Sequence, residues 1–107
     1  MPVRIETAPD VVSAYISGEI DHHNVKQMRE EIDSTVSRNM PKLLRLDFAA
    51  VEFMDSSGIG LVLGRFGLMQ DVGGRLELVN LPGHIRKVMH LAGIGNLGLV
   101  DSGGSGR

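Results

Sequence analysis

Apolar and polar positions along the chain switch repeatedly between a period of two and a period near 3.6. Val3 to Glu6 alternates and predicts a short strand. Ala8-Pro9-Asp10 signals a turn. The β-rich run Val11 to Ser17 ends at Gly18, so a hairpin is expected. Glu19 to His23 is a polar connection. Val25, Met28, Ile32 and Val36 then fall at steps of three and four. They form one stripe of an amphipathic helix, with Lys26, Arg29, Glu30 and Asp33 facing outward and Asn39 and Pro41 closing it.

Leu43 to Phe48 predicts the next strand. After Ala49 to Met54 and the segment Asp55-Ser56-Ser57-Gly58, a second helix is expected, with Ile59, Val62, Leu63, Phe66 and Met69 on its inner side. Gly73-Gly74 turns the chain into a strand over Arg75 to Val79. Pro82 opens a third helix whose inner stripe is Ile85, Val88, Met89 and Ala92, Gly93 stops it, and Leu97 to Val100 predicts a last strand. The order β-β-α-β-α-β-α-β means an α/β fold with a mixed, mostly parallel sheet and helices packed on it. Residues 1–101 are expected to form one domain, and Ser102 to Arg107, which offers no core residue, a flexible tail or remnant.

Composition narrows the function. With 42% hydrophobic and 22% charged residues, the 107-residue chain is of ordinary globular type and the size of one domain. A formal net charge of −2 argues against nucleic acid or an anionic membrane as the main partner. The absence of cysteine excludes thiolate metal sites and fits a cytoplasmic setting. No apolar run approaches the roughly 20 residues of a membrane span, and the N-terminus lacks the apolar core of a signal peptide.

Several catalytic patterns fail on context. Gly93 to Gly98 matches G-x-G-x-x-G as a string, but it follows a helix and not a first strand, so it is expected to be a glycine-rich turn. Ser56 and Ser57 lack the G-x-S-x-G surroundings of a nucleophile elbow, since Met54 or Asp55 stands where the first glycine belongs. A small serine hydrolase drawing on a distant histidine is the enzymatic alternative. His22-His23 beside Asp21 fits a polar helix entry better than a metal site, and His84 and His90 are expected on the surface of the third helix.

The segment Asp55-Ser56-Ser57-Gly58 sits where a strand gives way to a helix. Asp and Ser are favoured N-caps, each worth about 1 kcal/mol. A helix start also carries about half a positive charge and free N–H groups, so a phosphate added there is tolerated by the fold and changes the surface beside it. Gly60, Gly64 and Gly67 recur at steps of four and three. That strip permits close approach of a backbone, either a partner's or the domain's own sheet, and periodicity leaves both open. Leu61, Val62 and Leu68 make the same helix apolar nearly all round.

Gly18-Glu19-Ile20-Asp21-His22-His23, then Phe53-Met54-Asp55-Ser56-Ser57-Gly58-Ile59-Gly60, then Leu63-Gly64-Arg65, resemble the anti-sigma factor antagonists of sporulating bacteria, single-domain members of the STAS superfamily. The similarity runs from about residue 3 to residue 100. It implies a non-enzymatic transcription regulator without a cofactor. The unphosphorylated form would bind an anti-sigma factor that is also a serine kinase and release the sigma factor. Phosphorylation at Ser56 would break the complex, and a serine phosphatase would reset it. The resemblance further implies a partner-binding set in which Asp21 and Asp55 flank the serine, with Asp21 contributing to kinase docking, Ser57 and Gly58 shape the loop, and Ile59 and Gly60 meet the kinase. The family usually continues into a final helix where this chain carries Ser102 to Arg107. A STAS scaffold subunit of another stress-signalling complex is the alternative within the same family.

Overall fold

The computed structural model describes residues 3–97 and Leu99. Four strands form one sheet in the order β1 (Val3–Ala8), β2 (Val11–Ile20), β3 (Leu43–Met54), β4 (Arg75–Val79). β1 and β2 are antiparallel, joined through Pro9 and Asp10; β2 pairs parallel with β3, and β3 with β4. The helix α1 (Val25–Asn39) links β2 to β3, and α2 (Ser56–Asp71) links β3 to β4. Both crossovers step the same way along the sheet, and crossovers of one hand then place both helices on the same face. A third helix, α3 (Gly83–Leu91), and a 3-10 turn at Ile94–Leu97 follow.

The strand alternation explains which face the helices cover. Val12, Ala14 and Ile16 of β2, Leu44, Leu46 and Phe48 of β3, and Leu76 and Leu78 of β4 are buried. They meet Met28, Ile32 and Val36 of α1, Leu61, Val62 and Met69 of α2, and Ile85 and Met89 of α3 in one cluster. The alternate positions turn polar side chains to the other face. There Arg45 pairs with Glu77 across β3 and β4 at 2.9 Å, Arg4 lies 4.3 Å above the Tyr15 ring, and Asn80 donates to Asp47 at 2.8 Å. Parallel sheets usually need cover on both faces; here this polar row lets one face remain uncovered among the described residues.

Several expectations change, the simplest being Ala92, expected on the inner stripe of α3 but exposed as its C-cap. β3 runs on from Phe48 to Met54 because β2 runs on past Gly18 to Ile20 and supplies its partners. Gly18 continues the strand at φ +80, and the register slips between Tyr15 and Ser17 and again between Gly18 and Glu19, each time with an extra β3 residue. The inner stripe of α2 is Gly58, Leu61, Val62, Arg65 and Met69, one position out of phase with the expected one. Leu63 is exposed, while Ile59 and Phe66 are half-buried, because the helix is apolar on nearly every side and its hydrophobic period fixes no rotation. Leu97 closes the 3-10 turn and is not a strand residue, since Gly93, at φ +82, reverses the chain and Asn96 N–H folds back onto its carbonyl. Of the remainder of that expected strand, Gly98 and Val100 lie outside the described residues, as does the tail; the Leu99 carbonyl accepts from Leu78 N–H at 2.7 Å.

Gly58 shows how tightly α2 meets the sheet. A Cβ there would lie 2.1 Å from Met54 Cγ, 2.3 Å from its Sδ and 3.4 Å from Ile20 Cγ2. Gly58→Ala should therefore force Met54 aside and lower stability by about 1–3 kcal/mol, read as a shift of the urea midpoint.

Candidate functional site

The candidate site lies at the carboxyl ends of β2 and β3, where open α/β sheets place their binding groups. Ile20 pairs with Met54 at that edge, and Asp55 N–H donates to the Ile20 carbonyl at 3.1 Å. The residues that follow, Asp21 and Asp55, are thereby held side by side at adjacent strand ends. Each then starts a helix. Asp21 Oδ1 accepts from the N–H groups of His23 and Asn24 at 3.0 Å, which turns the chain into α1. Asp55, in extended conformation, is the N-cap of α2, and its Oδ1 accepts from Ser57 N–H at 2.7 Å. One acidic residue per helix start is thus used on backbone donors.

Ser56 is the first residue of α2 and is exposed. Ser57 and Ile59 are half-buried, Gly60 is exposed, and Gly58 lies beneath them against Met54. Ser56, Gly60, Gly64 and Gly67 follow one another at steps of four, four and three, and Leu63 lies three beyond Gly60, so all five share one face of the helix. A Cβ added at Gly60, Gly64 or Gly67 would meet nothing within 4 Å. The strip is consequently not used for packing on the domain's own sheet. It faces outward, with the Ser56 hydroxyl at its upper end and Leu63, 45% exposed, in its middle. Phe53, next to Met54 at the end of β3, is 50% exposed.

The histidines make other contacts. His22 and His23 are exposed and stack on each other with ring centroids 4.1 Å apart. His84 shares a hydrogen bond of 3.0 Å with the Glu52 carbonyl, and His90 is exposed. Among the described residues no histidine hydrogen-bonds to Ser56 or Ser57, and no cluster of three metal-ligating side chains forms.

One group was not singled out by pattern. Arg65 points inward from α2, with its side chain 8% exposed, and its Nε lies 2.9 Å from Asp33 Oδ1 on α1. The angle falls outside hydrogen-bond geometry, so this is a charge contact; among the described residues Nε and Nη1 of Arg65 and Oδ1 of Asp33 find no hydrogen-bond partner. Asp33, expected to face outward, instead leans onto Arg65. Tracing the helical period forward from Gly58 through Leu61 and Val62 would have placed Arg65 on the inner stripe. Burial raises the Asp33 carboxyl above its ordinary value of 3.8, against the opposing pull of Arg65 and Arg29, and burial lowers the Arg65 guanidinium. For both groups desolvation outweighs attraction, as is common for ion pairs taken out of water. A carboxyl raised in the folded state contributes stability at low pH and loses it as pH climbs through the folded value. The stability difference between wild type and Asp33→Asn, from urea unfolding at successive pH values, should therefore move against wild type as pH rises from below 3.8, then level off.

The STAS domain family model matches residues 2–101. The chain belongs to the STAS domain family. Among curated relatives it is 37% identical over 86 residues to the anti-sigma F factor antagonist of Lysinibacillus sphaericus, covering 80% of this chain and 74% of that one. Among solved structures it resembles the anti-sigma factor antagonist SpoIIAA in its unphosphorylated form, at a TM-score of 0.82 and 34% identity, over 92% of this STAS domain and 85% of that chain. It also resembles the Bacillus cell fate determinant SpoIIAA in the phosphorylated form, at a TM-score of 0.74 and 34% identity, over 92% and 88%. The mixed four-stranded sheet and three helices are the SpoIIAA-like fold. No helix among the described residues is long and apolar enough to cross a membrane.

Proposed function

We infer that this STAS domain is an anti-sigma factor antagonist whose docking face is the outer strip of α2 and whose switch is Ser56. The observation that carries the reading is the placement of Ser56 at the head of a strip on which Gly60, Gly64 and Gly67 leave backbone open to approach. In the unphosphorylated form an anti-sigma factor with serine kinase activity presses against this strip and releases its sigma factor. The kinase then transfers phosphate to the exposed Ser56 hydroxyl. The new dianion rests near the amide-rich start of α2, so the fold tolerates it, while its charge and bulk separate the docked surfaces. A serine phosphatase in the same cytoplasm returns the domain to its binding state.

Two comparisons support the reading: the Lysinibacillus relative is named for antagonism of the anti-sigma F factor, and SpoIIAA was solved in a phosphorylated form. The test is incubation with a purified anti-sigma F factor and ATP, followed by mass-spectrometric mapping. Label on Ser56 is expected. Label confined to other residues, or none with a kinase active on its own antagonist, would refute the switch.

A further inference from the structure

α2 packs on β3 and β4, which leaves β1 at the far edge of the sheet. Among the described residues β1 is bonded through its backbone to β2 alone, so its outer row of N–H and C=O groups has no partner. The other edge is engaged, since Leu78 N–H of β4 donates to the Leu99 carbonyl at 2.7 Å. A six-residue edge strand is a template for pairing with another strand. Charges of one sign along such an edge would repel a second copy. β1 lacks that protection: its two charged residues, Arg4 and Glu6, are opposite in sign and two positions apart.

The edge is instead complementary to itself. In an antiparallel pair of β1 strands with Ile5 on the two-fold axis, Arg4 of each copy stands opposite Glu6 of the other, and Val3 opposite Thr7. Opposite-charge and β-branched cross-strand pairs are both favourable. Arg4 and Glu6 lie on the uncovered face and touch within one strand, yet their side chains are 63% and 58% exposed. Each has donors or acceptors to spare, so it can bond its neighbour and the other copy together. Ile5 packs only in part against the core, and a second Ile5 would cover its remaining surface. The helix above agrees. Arg29 and Asp33 of α1 lie toward α2; Gln27, Glu31, Ser34 and Arg38, at steps of four, three and four, share the other flank, on the β1 side. The two-fold runs these flanks antiparallel, with Glu31 of one copy toward the exposed Arg38 of the other. We propose that this domain self-associates through β1, two copies joining edge to edge into one continuous sheet about a two-fold axis at Ile5. That axis stands perpendicular to the sheet, so the helices of both copies share one face and both Ser56-headed strips stay open on the same side. The pairing is independent of what docks on α2.

So short an edge buries less than a standard interface, and the pair should be weak, with Kd on the order of 100 µM. Sedimentation equilibrium of the full chain from about 10 µM to about 1 mM should follow wild type from monomer to dimer. Arg4→Glu and Glu6→Arg each set like charges opposite one another in both pairs, and each alone should weaken self-association about tenfold or more. Mixed in equal amounts, the two variants should regain association close to that of wild type. In the mixed pair the acidic substitute at position 4 of one copy faces the basic substitute at position 6 of the other, and the unchanged Glu6 and Arg4 meet as before. Both side chains are exposed, so the fold is kept. A wild type that stays monomeric at about 1 mM overturns the proposal. Single variants that dimerise as well as wild type, or a mixture that stays monomeric, overturn the β1 edge as the place where the copies meet.

Discussion

Gly64→Leu should leave this domain folded and at least as stable as wild type, while weakening its grip on an anti-sigma F factor about 10- to 100-fold. The two halves of that result come from one geometry. A Cβ at Gly64 meets nothing within 4 Å, so the side chain starts into open space and the fold has no contact to lose. Glycine inside a helix is about 1 kcal/mol less favourable than alanine and somewhat less so against leucine, and a substitution that strains nothing recovers most of that. A partner whose backbone lies against the strip has no room for the four new carbons. Overpacking a closely fitted contact costs about 1–3 kcal/mol, which sets the expected loss.

The milder double variant Gly64→Ala/Gly67→Ala separates these effects further. It should raise stability by about 1–2 kcal/mol, a Tm increase on the order of 5–10 °C for a domain of this size. It should also bind more weakly than wild type. Stability and binding moving in opposite directions is the mark of residues kept small for a partner. If Gly64→Leu binds as tightly as wild type, the outer strip of α2 is not where the partner sits.

How much of this was legible in the sequence depends on how many constraints acted on each residue. The two strands that alternate cleanly, around Val12-Ala14-Ile16 and Leu44-Leu46-Phe48, could be read directly, because an error of one residue would turn every apolar side chain to water. The α1 stripe of Met28, Ile32 and Val36 was equally plain, since its other faces are charged. The α2 helix was the opposite case. Apolar residues and glycines surround its axis, so the pattern announces the helix but not its rotation, and it points Leu63 inward where the structure has Arg65. The glycine strip was visible as a spacing, but whether it faced the sheet or solvent depended on that same rotation. Asp55 as a cap followed from residue type. The role of Asp21, whose carboxylate closes the turn ahead of α1, did not, because that turn depends on β2 continuing past Gly18 to Ile20. The register slips that carry β3 to Met54 are set by pairing between strands distant in sequence, and no local pattern reports them.

The serine itself gives the sharpest contrast between fold and function. Ser56→Ala should unfold within about 1 kcal/mol of wild type, because Asp55 is the residue that accepts from the helix N–H groups and the Ser56 side chain is exposed. It should bind an anti-sigma F factor as wild type does and resist phosphorylation, so the complex persists when ATP is added. Ser56→Asp should fold equally well, since a carboxylate in the first turn of a helix is favoured by roughly 0.3–1 kcal/mol. Its binding should nevertheless fall about tenfold or more, because a charge at the head of the strip is desolvated without a partner when the surfaces close. Added salt discriminates the cause. Screening should restore part of the binding lost by Ser56→Asp if long-range repulsion is responsible, and little of it if the loss is burial of the carboxylate. Isothermal titration of the two variants at two ionic strengths reads all of this. A Ser56→Asp domain that binds at wild-type affinity would mean that the single negative charge is insufficient and that the second charge or the bulk of the phosphate drives the surfaces apart; a phosphorylated wild type that also binds unchanged would remove Ser56 as the switch.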